Sequence, residues 1–150
     1  MTTIPEMKPF HLTSNDGGNT ETDGVANAWS DIWKFVVPRG TEIILTPGSL
    51  FSCFLEDTGP AEIGDQDNKV KIEVRDPAEA SAELVYGPNP YLRSKEFQDN
   101  DLKATLKITG PISVPSRYLI VISAYDGTAI DASDSYYDLL VQRIQRGVQR

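Results

Sequence analysis

Histidine and cysteine are almost absent from this chain, which has one of each, His11 and Cys53, in 150 residues. A lone cysteine excludes an internal disulfide framework. A lone histidine excludes the clusters that hold transition metals or activate a nucleophile. No Ser/His/Asp set, Cys/His set or Gly-rich phosphate loop can be assembled from what is left. Basic charge is also scarce. Fourteen Lys and Arg against 22 Asp and Glu give a net charge of −8, the opposite of the basic footprint of a nucleic-acid binder. Apolar runs such as residues 119–122 stay short, whereas a membrane helix needs about 20 apolar residues. No nucleic acid, membrane or cofactor is therefore expected as a partner, and an enzyme is the weakest class. Residues 1–8 show no basic stretch followed by an apolar run, so no secretory leader is expected.

What the chain does contain is a series of short β-prone runs separated by Pro and Gly. Such runs occupy residues 32–37, 42–45, 50–55, 70–75, 81–86, 102–108 and 117–125. Turn residues separate them, as in Thr46-Pro47-Gly48-Ser49 and Gly87-Pro88-Asn89-Pro90. Residues 70–75 and 102–108 alternate apolar and polar, the pattern of a strand with one wet face. Residues 117–125 are β-branched and unbroken, which predicts a central strand covered on both faces. Residues 136–144 fit either a strand or a helical stripe, and their length and Tyr-Tyr start favour a strand. The expected fold is all-β: a single β-sandwich, jelly-roll-like, or β-barrel domain. Cys53 sits in the apolar run 50–55 and is expected to be inert core.

Ahead of this domain, residues 1–28 form a polar segment, and no large apolar side chain occurs in 13–24. By composition it is an extended, flexible arm, with the domain proper in residues 29–150. Ile4, Pro5, Met7, Phe10 and Leu12 are its candidate anchors on a partner, set off from the domain by the Gly-rich spacer. Trp29 and Trp33 lie at the junction. One or both belong in the core, while Trp29 could instead anchor the arm to a partner.

Other polar groupings read more plainly as structure. Residues 19–24 echo the start of a calcium loop, but the twelfth position is Ser30 rather than Glu, so a solvated linker is the better reading. The acidic clusters 65–68 and 98–101, and the aspartates of 126–134, read as loops with Asx turns. At the C-terminus, Arg143, Arg146 and Arg150 form a basic tail on an acidic chain, a candidate contact for an acidic neighbour or another copy.

Together, the arm of residues 1–28, the Met1 start without a leader and the β domain from Trp29 to Ile144 resemble the small decoration, or cement, proteins of tailed bacteriophages. The resemblance is architectural and rests on no diagnostic motif. It implies a non-enzymatic virion protein, made in the host cytoplasm and assembled with the major capsid protein and copies of itself, with a trimer favoured. The mechanism implied is strand or arm addition to neighbouring subunits. Two other readings stand beside it. One is a carbohydrate- or ligand-binding sandwich using Tyr86, Tyr91, Tyr125, Tyr136 and Tyr137 as stacking faces. The other is a different virion component: a tail, neck, fibre-base or minor jelly-roll capsid protein.

Overall fold

The computed structural model describes residues 6–57, 69–90 and 101–145, which form strands, turns and loops without helix. Eleven strands run through them. They are β1 (Glu6–Thr13), β2 (Asn19–Glu21), β3 (Ser30–Val36), β4 (Thr41–Leu45) and β5 (Leu50–Asp57). After these come β6 (Lys69–Arg75), β7 (Ala82–Pro90), β8 (Asp101–Thr105), β9 (Ile112–Val114), β10 (Leu119–Tyr125) and β11 (Ile130–Gln145). All pairings are antiparallel. The expected all-β class, a sandwich, jelly-roll-like or barrel domain, is observed as two antiparallel sheets.

One sheet has five strands in the order β2-β3-β10-β6-β7. Its centre is β10, buried from Leu119 through Ala124, as the unbroken β-branched run predicts. The other sheet is organised around β11, the longest strand at 16 residues. Its N-terminal half pairs with β5 and its C-terminal half with β4, along one edge, while β1 lines the opposite edge from Thr13↔Asp138 to Glu6↔Gln145. β4 and β5 are thus one course along β11, interrupted at residues 46–49. There the Ser49 N–H donates to Thr46 O at 3.0 Å, and Gly48 adopts φ 87°, a conformation that costs glycine little. β9 and β8 repeat the arrangement outside β4 and β5. Side chains from both sheets fill one core, with Trp33, Tyr137, Phe51 and Leu12 among its largest members. Cys53 is buried there.

Residues 126–134 depart from the expected loop. β11 starts at Ile130, and its pairing with β5 skips from Asp131↔Glu56 to Tyr136↔Phe54. The extra residues form a bulge. The Ser135 hydroxyl donates to Asp131 O at 2.7 Å and accepts from the Glu56 N–H at 2.9 Å, while the Asp131 carboxylate accepts from Ser133 N and Oγ. The Asx geometry is present, but inside a strand.

Candidate assembly surfaces

The N-terminal arm is extended, and it lies on its own domain, adding β1 to one sheet and β2 to the other. Period-two alternation sorts its side chains. Leu12, opposite Leu139, is wholly buried in the core; Phe10, opposite Val141, packs against that core; Met7, opposite Ile144, faces outward and is 55% exposed. Leu12 is thus occupied within its own chain, whereas Met7 faces solvent. Ile4 and Pro5 lie outside the described residues, as do Arg146 and Arg150. Arg143 is also engaged within the chain, its guanidinium 4.1 Å from the centre of the Phe10 ring, a cation–π contact.

The polar stretch behind β1 is tied down by hydrogen bonds rather than by apolar burial. Asp16 accepts from the Thr13 N–H at 2.7 Å, and the Asn19 amide donates to Thr13 O at 2.7 Å. The Tyr137 hydroxyl donates to Asn19 Oδ1 at 2.6 Å, and burial pushes that phenol above the ordinary tyrosine range. Gly24 exchanges backbone bonds with Ile130, and Asp23 accepts from the Ala132 N–H at 2.9 Å. Thus Asn19 and Asp23, considered above as calcium-loop ligands, serve the backbone and Tyr137. Among the described residues no group of His, Cys, Asp and Glu is arranged to hold a metal.

The two tryptophans part company. Trp33 packs in the core with its ring 5.1 Å from that of Tyr137. Trp29 is 40% exposed beside Tyr125, with Lys71 Nζ 4.7 Å above its ring and Lys69 Nζ 5.9 Å from the Tyr125 ring. The five tyrosines of the sugar-binding reading do not gather. Tyr86 and Tyr137 are buried, Tyr136 stacks on Phe54 on a separate surface, Tyr125 sits beside Trp29, and Tyr91 lies outside the described residues.

The outer faces of the two sheets differ in chemistry. On the β10 sheet, Arg75 forms a bidentate pair with Asp31 at 2.7 and 3.0 Å and reaches Glu73 and Glu79 at 2.9 Å each. Lys34 bonds Glu79 at 2.9 Å, and Ser123 donates to Asp31 at 2.7 Å. The Arg75 hydrogen bonds hold the Asp31 carboxyl below its usual range; the Lys34 bond, followed by Arg75, does the same for Glu79. Val121, flanked in register by Lys34 and Glu73, is fully buried on this sheet.

On the β11 sheet, the outward positions include Met7, Pro9 and His11 of β1, Glu42 and Ile44 of β4, Leu50, Ser52 and Phe54 of β5, and Tyr136, Asp138, Leu140, Gln142 and Ile144 of β11. Two polar pairs lie on it: His11 Nδ1 is 2.8 Å from Asp138, and Ser113 donates to Glu42. Sequence reading missed this surface, although a signal existed. The pairs Ile43-Ile44, Leu50-Phe51, Phe54-Leu55 and Leu139-Leu140 put apolar side chains on both faces of their strands.

A third feature is an open cleft of about 630 Å3 between β7 and the β8–β9 connection, bordered by Leu84, Tyr86, Ile108 and Ile112. Glu83 and Lys107 belong to its polar lining.

Comparison with known proteins finds likeness only at the level of structure. No protein-family model matches the sequence, and no curated protein matches it. Among solved structures, the VP16–VP17 complex, a complex of the two major capsid proteins of bacteriophage P23-77, matches with a TM-score of 0.46 and 6% identity over 93% of this chain and 99% of that chain. VP17, a capsid protein of bacteriophage P23-77, matches with a TM-score of 0.50 and 5% identity over 98% of this chain and 100% of that chain. The likeness to VP17 is one of fold, and it extends over the whole of that protein.

Proposed function

We propose that this chain is a non-enzymatic structural protein of a virus particle, a β-sandwich that builds or reinforces the shell by packing against other shell subunits. The observation carrying this reading is the fold likeness to VP17, which spans 98% of this chain and 100% of that capsid protein. An apolar outer sheet face on a highly acidic chain supports it, since exposed apolar patches mark interaction sites. Dispersal of the tyrosines removes support from the sugar-binding alternative.

Within the virion, a shell-building role is the better supported form. A cement protein that clamps capsomers by its arm needs free apolar anchors, yet β1 is paired with β11 along its whole length and Leu12 is in the core. The cement form retains Met7 as an outward contact, together with whatever Ile4 and Pro5 reach.

Stoichiometry and stripping separate these roles. Purified particles should contain the chain in copy number comparable to the main shell protein. Removing it with mild denaturant should collapse the shell if it builds the lattice, and leave an intact shell if it is cement. Particles that contain none would end the virion reading.

A further inference from the structure

We propose that the free edge of β7, where it borders the open cleft, accepts an extended strand from a neighbouring protein, one that presents Lys or Arg to Glu83. The shell role proposed above enters only in naming the donor, a neighbouring shell subunit. The site itself follows from backbone geometry and charge.

The backbone of β7 is only half satisfied. It ends its sheet and pairs with β6 alone among the described residues. The Asp76 N–H donates to Ser81 O, and bonded and non-bonded pairs alternate along an antiparallel ladder. The pairs Arg75↔Ala82 and Glu73↔Leu84 are therefore non-bonded. Ala82 and Leu84 thus turn their N–H and C=O groups away from β6, and both residues are exposed. They stand two residues apart, the repeat at which an added strand forms its bonds. The stretch from Ala82 to Tyr86 runs about 17 Å.

Two other edges are interrupted. β1 carries Pro9, which has no N–H to donate, and Asp16 and Asn19 already bond Thr13 at its end. β9 has three residues and is flanked by Pro111 and Pro115. In β7 the prolines, Pro88 and Pro90, come after this stretch.

The cleft supplies space and selectivity. Residues 83–87 of β7 form one wall and residues 107–112 the other, around about 630 Å3. Glu83 is in register with the core residue Val74, which puts its side chain on the inner face of β7, yet it is exposed. Lys107, on the opposite wall, is exposed as well, and neither charge has a partner among the described residues. An inward charge keeps apolar strands off an edge, because burying it unpaired is costly. A strand with a cation directly opposite removes that cost, so Glu83 filters rather than closes the edge. The net charge of −8 favours a basic donor in the same sense. Next to Glu83 in the cleft, Tyr86, Ile108 and Ile112 give apolar cover to a side chain two positions along. The donor is therefore extended, about five residues long, with a basic residue flanked by apolar ones at alternate positions.

The test is titration of the full chain with the peptide Thr-Val-Thr-Lys-Thr-Val-Thr, read by amide signals in nuclear magnetic resonance. Shifts are expected in residues 82–87 and 107–112, with slowed exchange at Ala82 and Leu84. The peptide with Glu in place of Lys should bind at least about tenfold more weakly, since like charges then face each other. Glu83→Lys, with folding checked by circular dichroism, should reverse that preference. N-methylation of the central Lys and both flanking Thr, which removes the donors to the β7 carbonyls, should abolish binding. No shift at millimolar peptide, shifts elsewhere, or a preference unchanged in Glu83→Lys overturns the proposal and leaves Glu83 as a charge that keeps the edge bare. A chain abundant in particles with β7 unpaired would sink this inference alone, and peptide binding by a chain absent from particles would sink the shell role alone.

Discussion

The Tyr137 hydroxyl donates a 2.6 Å hydrogen bond to Asn19 Oδ1, joining the long final strand to the turn that follows β1. The Asn19 amide in turn donates to Thr13 O, so the phenol ties the final strand to a turn that Asp16 also braces. Replacing it, Tyr137→Phe, should cost about 1–2 kcal/mol in urea unfolding, because Asn19 loses its partner while the ring packing survives. The folded phenol titrates above the unfolded one, since burial disfavours its anion. This stabilisation is therefore complete below the ordinary tyrosine range and is lost as pH rises through the folded value. Alkaline difference absorbance should show one tyrosine ionising later than the others, and Tyr137→Phe should remove that late step.

Leu12→Ala should destabilise the domain by about 2–4 kcal/mol, the cost of a core cavity rather than of a surface arm. Deleting residues 1–12 should be worse, since it removes a strand as well as a core side chain. Chemical denaturation of both variants checks this. Loss of the cooperative transition in the deletion, alongside a modest midpoint shift in Leu12→Ala, is the expected pattern.

The central strands were legible in the sequence because burial and alternation both act within a few residues. Period two in 70–75, the β-branched run at 117–125 and the turn at Pro47-Gly48 each reflect a local cause. β1 was not legible, because Lys8, Pro9 and His11 dilute its apolar side chains, and proline is disfavoured in strand interiors. An edge position tolerates it, and edge placement is decided by β11, more than a hundred residues away. β2 and the turn before it were hidden for another reason: Asn19, Asp16 and Asp23 are ordered by hydrogen bonds to distant backbone, which composition does not register. The first part of β11 was hidden by its own bulge. Among candidate contacts, Met7 and Trp29 were found exposed, whereas the apolar outer face was overlooked.

Gly24→Ala should weaken attachment of the arm. A Cβ there would lie 3.0 Å from Ile130 Cβ and 3.0 Å from Ile32 Cδ1, closer than van der Waals contact allows. Overpacking of this kind costs about 1–3 kcal/mol. Amide exchange should accelerate at Gly24 and Ile130, which bond each other, more than in β10. Uniform acceleration across both sheets would show instead that the arm and the domain open together.

Arg75→Met should destabilise the chain by about 1–3 kcal/mol at neutral pH, because Asp31 and Glu73 lose a largely buried cation. Asp31 and Glu79 have folded values below their unfolded ones. Their stabilisation is present above the unfolded carboxylate range and is lost as pH falls through the folded values. Urea midpoints should therefore fall on acidification from about pH 6 to pH 3, and more shallowly in Arg75→Met than in the wild type.

The central claim, that this sandwich is a structural part of a virus shell, is tested most directly by an electron cryomicroscopy reconstruction of particles containing the chain, traced at side-chain detail. The expected result is a repeating two-sheet sandwich within the shell, with the aromatic pair Phe54–Tyr136 covered by a neighbouring subunit. A complete shell with no density for this fold would contradict the claim.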